Sequence, residues 1–195
     1  GAAGAQGGLA GALHAGLKSR KGLWFGWSGQ ESGSGRTGHI DTQTSDGVTT
    51  ATIDLSQRDI DEYYNGYANR TLWPLFHYRI DLAEYESGFG KGYERVNKRF
   101  ADSLGPLIEP EDMVWVHDYH LLPLGSRLRE RGNKNKIGFF LHIPWPPRNL
   151  LVALFFKFVS AGFELLLEFG RMRKGPLFFR CKLLAPGLFS LHFLL

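Results

Sequence analysis

The spacing of apolar positions along this chain changes several times between residues 9 and 147, and each change predicts an element. Leu9, Leu13 and Leu17 recur every fourth residue behind Gly7 and Gly8, the pattern of a glycine loop entering a helix over 9–18. Residues 22–30 (GLWFGWSGQ) are short and aromatic, and residues 48–55 (VTTATIDL) alternate apolar with polar; both predict strands. Between them, residues 31–47 (ESGSGRTGHIDTQTSDG) carry no apolar period and are predicted to be an exposed loop. Ser56 followed three residues later by Asp59 resembles a helix-opening capping box, with the helix running over about residues 57–69. Ile60, Tyr63, Tyr64 and Tyr67 then fall at helical core spacing, and so do Val96, Asn97, Phe100 and Leu104 in a helix predicted over 93–104.

The most regular pattern follows the turn at 109–112. Residues 113–117 (MVWVH) read as a buried strand, 122–132 as a helix closed by Gly132, and 136–144 (KIGFFLHIP) as a second strand. Strand, helix and strand in so short a span predict a parallel βαβ unit. In open α/β sheets ligands bind beyond the carboxyl ends of the strands, and His117, Asp118 and His142 stand at those ends. Beyond Pro147 the rhythm breaks into a tail rich in Leu and Phe. Lys157, Glu164 and Glu168 interrupt its first half, and Pro186 with Gly187 its second. No run of about 18–20 apolar residues survives, so a membrane span is not expected.

Composition narrows the function classes only slightly. A 43% hydrophobic content supports a sizeable core, and 23 Lys and Arg against 19 Asp and Glu give a net charge of +4. That mild excess suits an anionic small molecule as well as a nucleic acid and selects neither. Cys181 is the only cysteine, which excludes an internal disulfide and a cysteine-based zinc cluster and fits a cytoplasmic protein. The first residues lack the basic segment and apolar core of a signal peptide.

Several residue groups compete for a chemical role. In an extended strand Asp118 and His120 share one face and His117 the other, so a zinc site needs a turn to make them converge; the bland alternative is a set of polar groups bonding that turn. Ser28 in GWSGQ lacks the second glycine of a nucleophile elbow. Gly8, with Gly7, lets a phosphate approach backbone N–H groups or simply makes a turn. Tyr64 and Trp73, taken singly, are core or packing residues. Together with Trp27 and with Asp118 and His142 at strand ends, they fit a sugar held by aromatic faces and polar groups.

The segments GLWFGWSG (22–29), DEYYNGYANRTLWPLFHYR (61–79), WVHDYHLLPL (115–124) and IGFFLHIPWP (137–146) strongly resemble the trehalose-6-phosphate synthase family, in order over residues 7–147. The resemblance implies a retaining, UDP-glucose-dependent glycosyltransferase making trehalose 6-phosphate from UDP-glucose and glucose 6-phosphate. It implies no metal, no cofactor and no nucleic-acid partner. It makes Asp118 and His142 the catalytic candidates, Asp118 bonding acceptor-sugar hydroxyls and His142 lying close to the donor glucose. Gly8 falls by the donor phosphates, while Trp27, Tyr64 and Trp73 fall on the glucose 6-phosphate side. The expected fold class is α/β, a partial N-terminal Rossmann-like domain of a GT-B glycosyltransferase in residues 1–147. Residues 148–195 are expected to be an unmatched hydrophobic tail, read as frame-shifted. The family's initial Asn-Arg pair and its second domain have no counterpart here, so the expectation is a chain inactive by itself. The alternatives are a non-catalytic binding fragment and a relative using another phosphorylated acceptor such as glycerol 3-phosphate. A homo-oligomer is compatible with the pattern but not specified by it.

Overall fold

The computed structural model describes Leu17, residues 22–33 and 38–153, and the backbone of three strands in the tail. Gly8 and most of the helix predicted over 9–18 lie outside the described residues; Leu17 is helical, and its carbonyl accepts the Gly22 N–H at 3.0 Å.

The first sheet is ordered β1-β3-β2, with β1 spanning Leu23–Glu31, β2 Ile40–Ser45 and β3 Val48–Leu55. The central strand β3 has the period of two: Ala51, Ile53 and Leu55 are buried while Thr52 and Asp54 between them are not. It runs parallel to β1 and antiparallel to β2. The predicted loop over 31–47 is corrected here, because its second half is β2. That strand is almost wholly exposed and gives no apolar signal. It is specified instead by the two-residue turn Asp46-Gly47, whose φ angles of 52° and 79° are both positive, as a tight hairpin of matching twist requires. Thr44 and Thr49 then meet across the strands through their hydroxyls at 3.1 Å.

Ser56 opens the next element as expected, its Oγ accepting the Asp59 N–H at 3.2 Å and donating to Asp59 Oδ2 at 2.8 Å. The helix, α1, runs further than predicted and is wound differently. Gln57–Asp59 and Trp73–Phe76 are α-helical, while Ile60–Leu72 between them is π-helical. Gly66 permits that winding: a Cβ there would lie 2.8 Å from the Asp61 carbonyl oxygen and 2.5 Å from the Phe89 ring. Helix α2 (Ser87–Leu104) packs along α1 so closely that a Cβ on Gly92 would sit 2.3 Å from Glu62 Cβ. Their shared apolar face, with Tyr63, Tyr93, Val96, Phe100 and Leu104, forms the core with Ile53 and Leu55 of β3. Each such side chain contributes about 1.5–3 kcal/mol through burial.

Strands β4 (Met113–His117) and β5 (Lys136–Phe140) pair in parallel, with helix α3 (Leu124–Glu130) between them in sequence, as the βαβ prediction requires. The expectation of a buried strand at β4 holds for one face only. Val116 is buried, but Met113 is 63% and Trp115 52% exposed, because only one face of this two-stranded sheet meets the core. In the tail, β6 (Glu164–Gly170), β7 (Phe178–Leu184) and β8 (Phe189–Leu194) form an antiparallel sheet in that order. Among the described residues no helix is long and apolar enough to cross a membrane.

Candidate functional site

The parallel pairing of β4 with β5 ends at His117 opposite Phe140, and the chain turns there by an unusual backbone step. Asp118 has φ 69° and ψ 168°, a region that glycine alone enters without strain, at a cost of about 1–3 kcal/mol. Its N–H donates to the Phe140 carbonyl at 2.8 Å, and its carboxylate accepts the Tyr119 N–H at 3.0 Å. The strained residue is thus tied to β5 on one side and opens the short 3₁₀ turn Tyr119–Leu121 on the other.

Helix α2 braces that turn from the core. The Tyr93 hydroxyl donates to the Tyr119 carbonyl at 2.5 Å and accepts the Leu122 N–H at 3.3 Å. Burial, then the neighbouring Tyr67 and Tyr63, push the Tyr93 phenol well above its ordinary range, so it serves as a neutral hydroxyl. Asn97, fully buried, donates through Nδ2 to the Tyr93 carbonyl at 3.0 Å and to the His120 carbonyl at 3.1 Å. Two buried atoms here have no hydrogen-bond partner among the described residues, Asn97 Oδ1 and His120 Nε2. Each such group costs about 1–3 kcal/mol unless something satisfies it. Burial lowers the His120 pKa, with the Asp118 carboxylate opposing, so its ring is neutral at physiological pH.

Aromatic rings gather on one side of this turn. Tyr64 stacks on His120 at 5.6 Å and 19°, and Tyr119 stacks on His120 at 4.2 Å and 28°. Trp27 meets Tyr64 edge-on at 5.2 Å. Its indole N–H donates to the Gln30 carbonyl at 2.9 Å, where Gly29 (φ 83°) and a break in the β1–β3 register bend the strand end. Trp73 stands apart from this cluster, 44% exposed and stacked on His77 at 3.9 Å. The π winding matters for it. At about 3.6 residues per turn Tyr64 and Trp73 would face opposite sides of the helix, whereas the slower π turn, carried through to the Trp73 N–H on the Ala68 carbonyl, returns them to one face.

On the other side of Asp118, His142 folds back over Phe140 (4.8 Å between rings) onto His117, with Nδ1 of His117 and Nε2 of His142 3.0 Å apart. The structure therefore brings Trp27 and Tyr64 together, brings His142 to the end of β4 beside Asp118, and leaves Trp73 on the same helix face further along. Sequence reasoning gave His117 and His120 only a turn-supporting role and placed Asn97 on a core face. A polar Asn inside an apolar helical stripe was the signal available. Among the described residues no three His, Cys, Asp or Glu side chains converge as metal ligands.

A parallel βαβ unit with aromatic, carboxylate and imidazole groups gathered beyond its carboxyl edge is a Rossmann-like arrangement, and the chain is α/β, part of the N-terminal domain of a GT-B glycosyltransferase. The model of glycosyltransferase family 20 matches residues 2–156, and the chain belongs to that family. It is 50% identical over 149 residues to a trehalose-6-phosphate synthase of Sinorhizobium fredii, covering 76% of this chain and 32% of that one. A solved alpha,alpha-trehalose-phosphate synthase (UDP-forming) from Burkholderia xenovorans, in complex with glucose-6-phosphate, superposes with a TM-score of 0.71 at 38% identity, covering 96% of this chain and 45% of that one. A structure from E. coli bound with UDP-2-fluoro glucose gives a TM-score of 0.69 at 33% identity over 97% of this chain and 46% of that one. The chain spans about a third of the length of the curated relatives it matches.

Proposed function

We propose that this chain carries the acceptor side, and the donor-glucose contact, of a retaining glycosyltransferase that makes trehalose 6-phosphate from UDP-glucose and glucose 6-phosphate. The observation that carries the reading is the 50% identity over 149 residues with a trehalose-6-phosphate synthase, a stretch long enough to hold every candidate residue. In this reading Trp27, Tyr64 and Trp73 flank the glucose 6-phosphate, Asp118 accepts hydrogen bonds from its hydroxyls, and His142 touches the donor glucose. Gly8 lies by the donor phosphates, and residues 1–147 are the unit that does this.

The chemistry asked of these groups is orientation. The acceptor hydroxyl attacks the anomeric carbon from the face that UDP leaves. The bond from that carbon to the phosphate oxygen breaks with its electron pair going to UDP, and the hydroxyl proton passes to the departing phosphate. Holding two sugars in register and stabilising the growing phosphate charge supply the acceleration. A strained Asp118 suits such a task, because its backbone is fixed by β5 and the 3₁₀ turn rather than by its own preference. The same reading places the protein in the cytoplasm, in keeping with its single cysteine, and leaves room for a homo-oligomer.

A second reading follows from the kind of groups gathered at the sheet edge, which hold a ligand rather than react with it: a binding module that takes glucose 6-phosphate without turning it over. The two part in one experiment. UDP release from UDP-glucose is measured with glucose 6-phosphate and with glycerol 3-phosphate, on this chain and on the protein extended to its relatives' length. The proposal expects release with glucose 6-phosphate in the extended protein, cut by at least about tenfold in Asp118→Ala, or about 1.4 kcal/mol of transition-state stabilisation. Binding without release in both proteins supports the binding-module reading. Faster release with glycerol 3-phosphate overturns the choice of acceptor.

A further inference from the structure

The proposed function gives His142 a place beside the donor glucose but gives His117 none, although the two rings stack at 5.3 Å and 21° with nitrogens 3.0 Å apart. His117 is the better anchored of the two. It closes β4 in register with Phe140, and its ring lies against Trp115 at 4.6 Å. His142 is exposed, two residues past β5, on a segment held by Trp145 against Phe76 at 5.5 Å and by the buried Pro146. An exposed imidazole so placed would sample several rotamers and both tautomers; the edge contact with the Phe140 ring and a nitrogen of His117 select one rotamer.

A contact between two imidazole nitrogens needs one N–H and one lone pair, so the tautomers of the two rings are linked. If His117 donates from Nδ1, both rings adopt the Nδ1–H form. If His142 donates from Nε2, both adopt the Nε2–H form, the one preferred by a free imidazole side chain. We propose that His117 is a positioning residue that clamps His142 in the Nε2–H tautomer, leaving His142 Nδ1 as an acceptor for a hydroxyl of the donor sugar. The ligand named rests on the proposed function; the clamp does not.

The groups facing His117 among the described residues agree with such a clamp. Burial first, then the facing His142 ring, lower the His117 pKa, and the adjacent Asp118 carboxylate opposes them. Trp115 and Phe140 complete its surroundings without charge. A proton added at His117 Nδ1 would set an N–H against an N–H, so the clamp holds at neutral pH and opens only as pH falls through the lowered range of His117.

Long-range proton–nitrogen NMR of the imidazoles in the 195-residue chain reads this directly. Above the titration range, His142 should show a protonated Nε2 and an unprotonated Nδ1. His117→Phe should replace these separate signals by averaged ones. His117→Gln should restore them, because its Oε1 accepts the same Nε2–H, and His142→Gln should move the His117 midpoint upward. An averaged or Nδ1–H form of His142 in the unaltered chain overturns the clamp. So does a His142 spectrum that His117→Phe leaves unchanged. Adding UDP-glucose to the protein extended to its relatives' length separates the two ideas: a locked His142 whose Nδ1 shift does not move with nucleotide sugar overturns the donor-side role, and with it the ligand named here, while the clamp stands.

Discussion

Two acidic residues, Asp59 at the start of α1 and Asp118 at the end of β4, sit in clusters built in opposite ways. Around Asp59, 1% exposed, the carboxylate is fully served: Arg95 Nε donates at 2.7 Å, Arg99 Nη1 at 2.5 Å and Ser56 Oγ at 2.8 Å. Arg95 also reaches Glu62 at 2.7 Å, joining α1 to α2. Around Asp118 the backbone is strained, and nearby Asn97 Oδ1 and His120 Nε2 are buried with no partner among the described residues. The first cluster closes the molecule on itself; the second keeps donors, acceptors and aromatic faces unspent at the sheet edge where a ligand is expected.

The largest test of this contrast is Asp59→Ala. It leaves two arginines facing a vacancy and should lower stability by about 3 kcal/mol in urea denaturation, while an effect below about 1 kcal/mol would make the cluster an ordinary surface network. The pH dependence has a definite sign. Burial raises the Asp59 pKa, but the hydrogen bonds from Arg99, Ser56 and Arg95 outweigh it and hold the carboxyl below the ordinary aspartate value. Its contribution is therefore fully present above that value, about pH 4, and is lost as pH falls through the lowered one. Next in size is Gly92→Ala, whose new Cβ must push Glu62 away from α2 and should cost about 2 kcal/mol. Equal stability would mean that α1 and α2 have room to part.

At Asp118 the comparison of two variants isolates the strain. Asp118→Gly and Asp118→Ala both lose the hydrogen bond to the Tyr119 N–H, yet glycine tolerates φ 69° and ψ 168° and alanine does not. Glycine should be the more stable variant by about 1 kcal/mol or more by thermal or urea unfolding, and parity would remove the strain from the account. The smallest stability effect belongs to Tyr64→Phe, within about 0.5 kcal/mol, because the ring keeps its contacts with Trp27 and His120. If its hydroxyl serves the ligand, calorimetry should show glucose 6-phosphate binding weakened more than UDP-glucose binding.

Much of the scaffold was legible from residue spacing, because β3, α2 and the βαβ unit bury one face each and so leave a period in the chain. Strand β2 was not: exposed on nearly every residue, it is specified by the Asp46-Gly47 turn and by ladder hydrogen bonds that apolar spacing does not record. The π winding of α1 was hidden for a related reason, since Ile60, Tyr63, Tyr64 and Tyr67 satisfy an α period over a short window. At the site, the position of Asp118 and His142 at strand ends followed from topology alone. The pairing of His117 with His142 did not, because it depends on a loop folding back across Phe140.

The open character of the Asp118 end is tested most directly by titrating the isotope-labelled chain with glucose 6-phosphate and reading the Trp27 indole N–H, the Tyr119 amide and the His120 imidazole. The account expects the largest changes at these three groups, and smaller ones when glycerol 3-phosphate replaces the sugar phosphate. Changes centred instead on the groove lined by Asp102, Pro106, Leu128 and Arg131, at the C-terminal ends of α2 and α3, would contradict it.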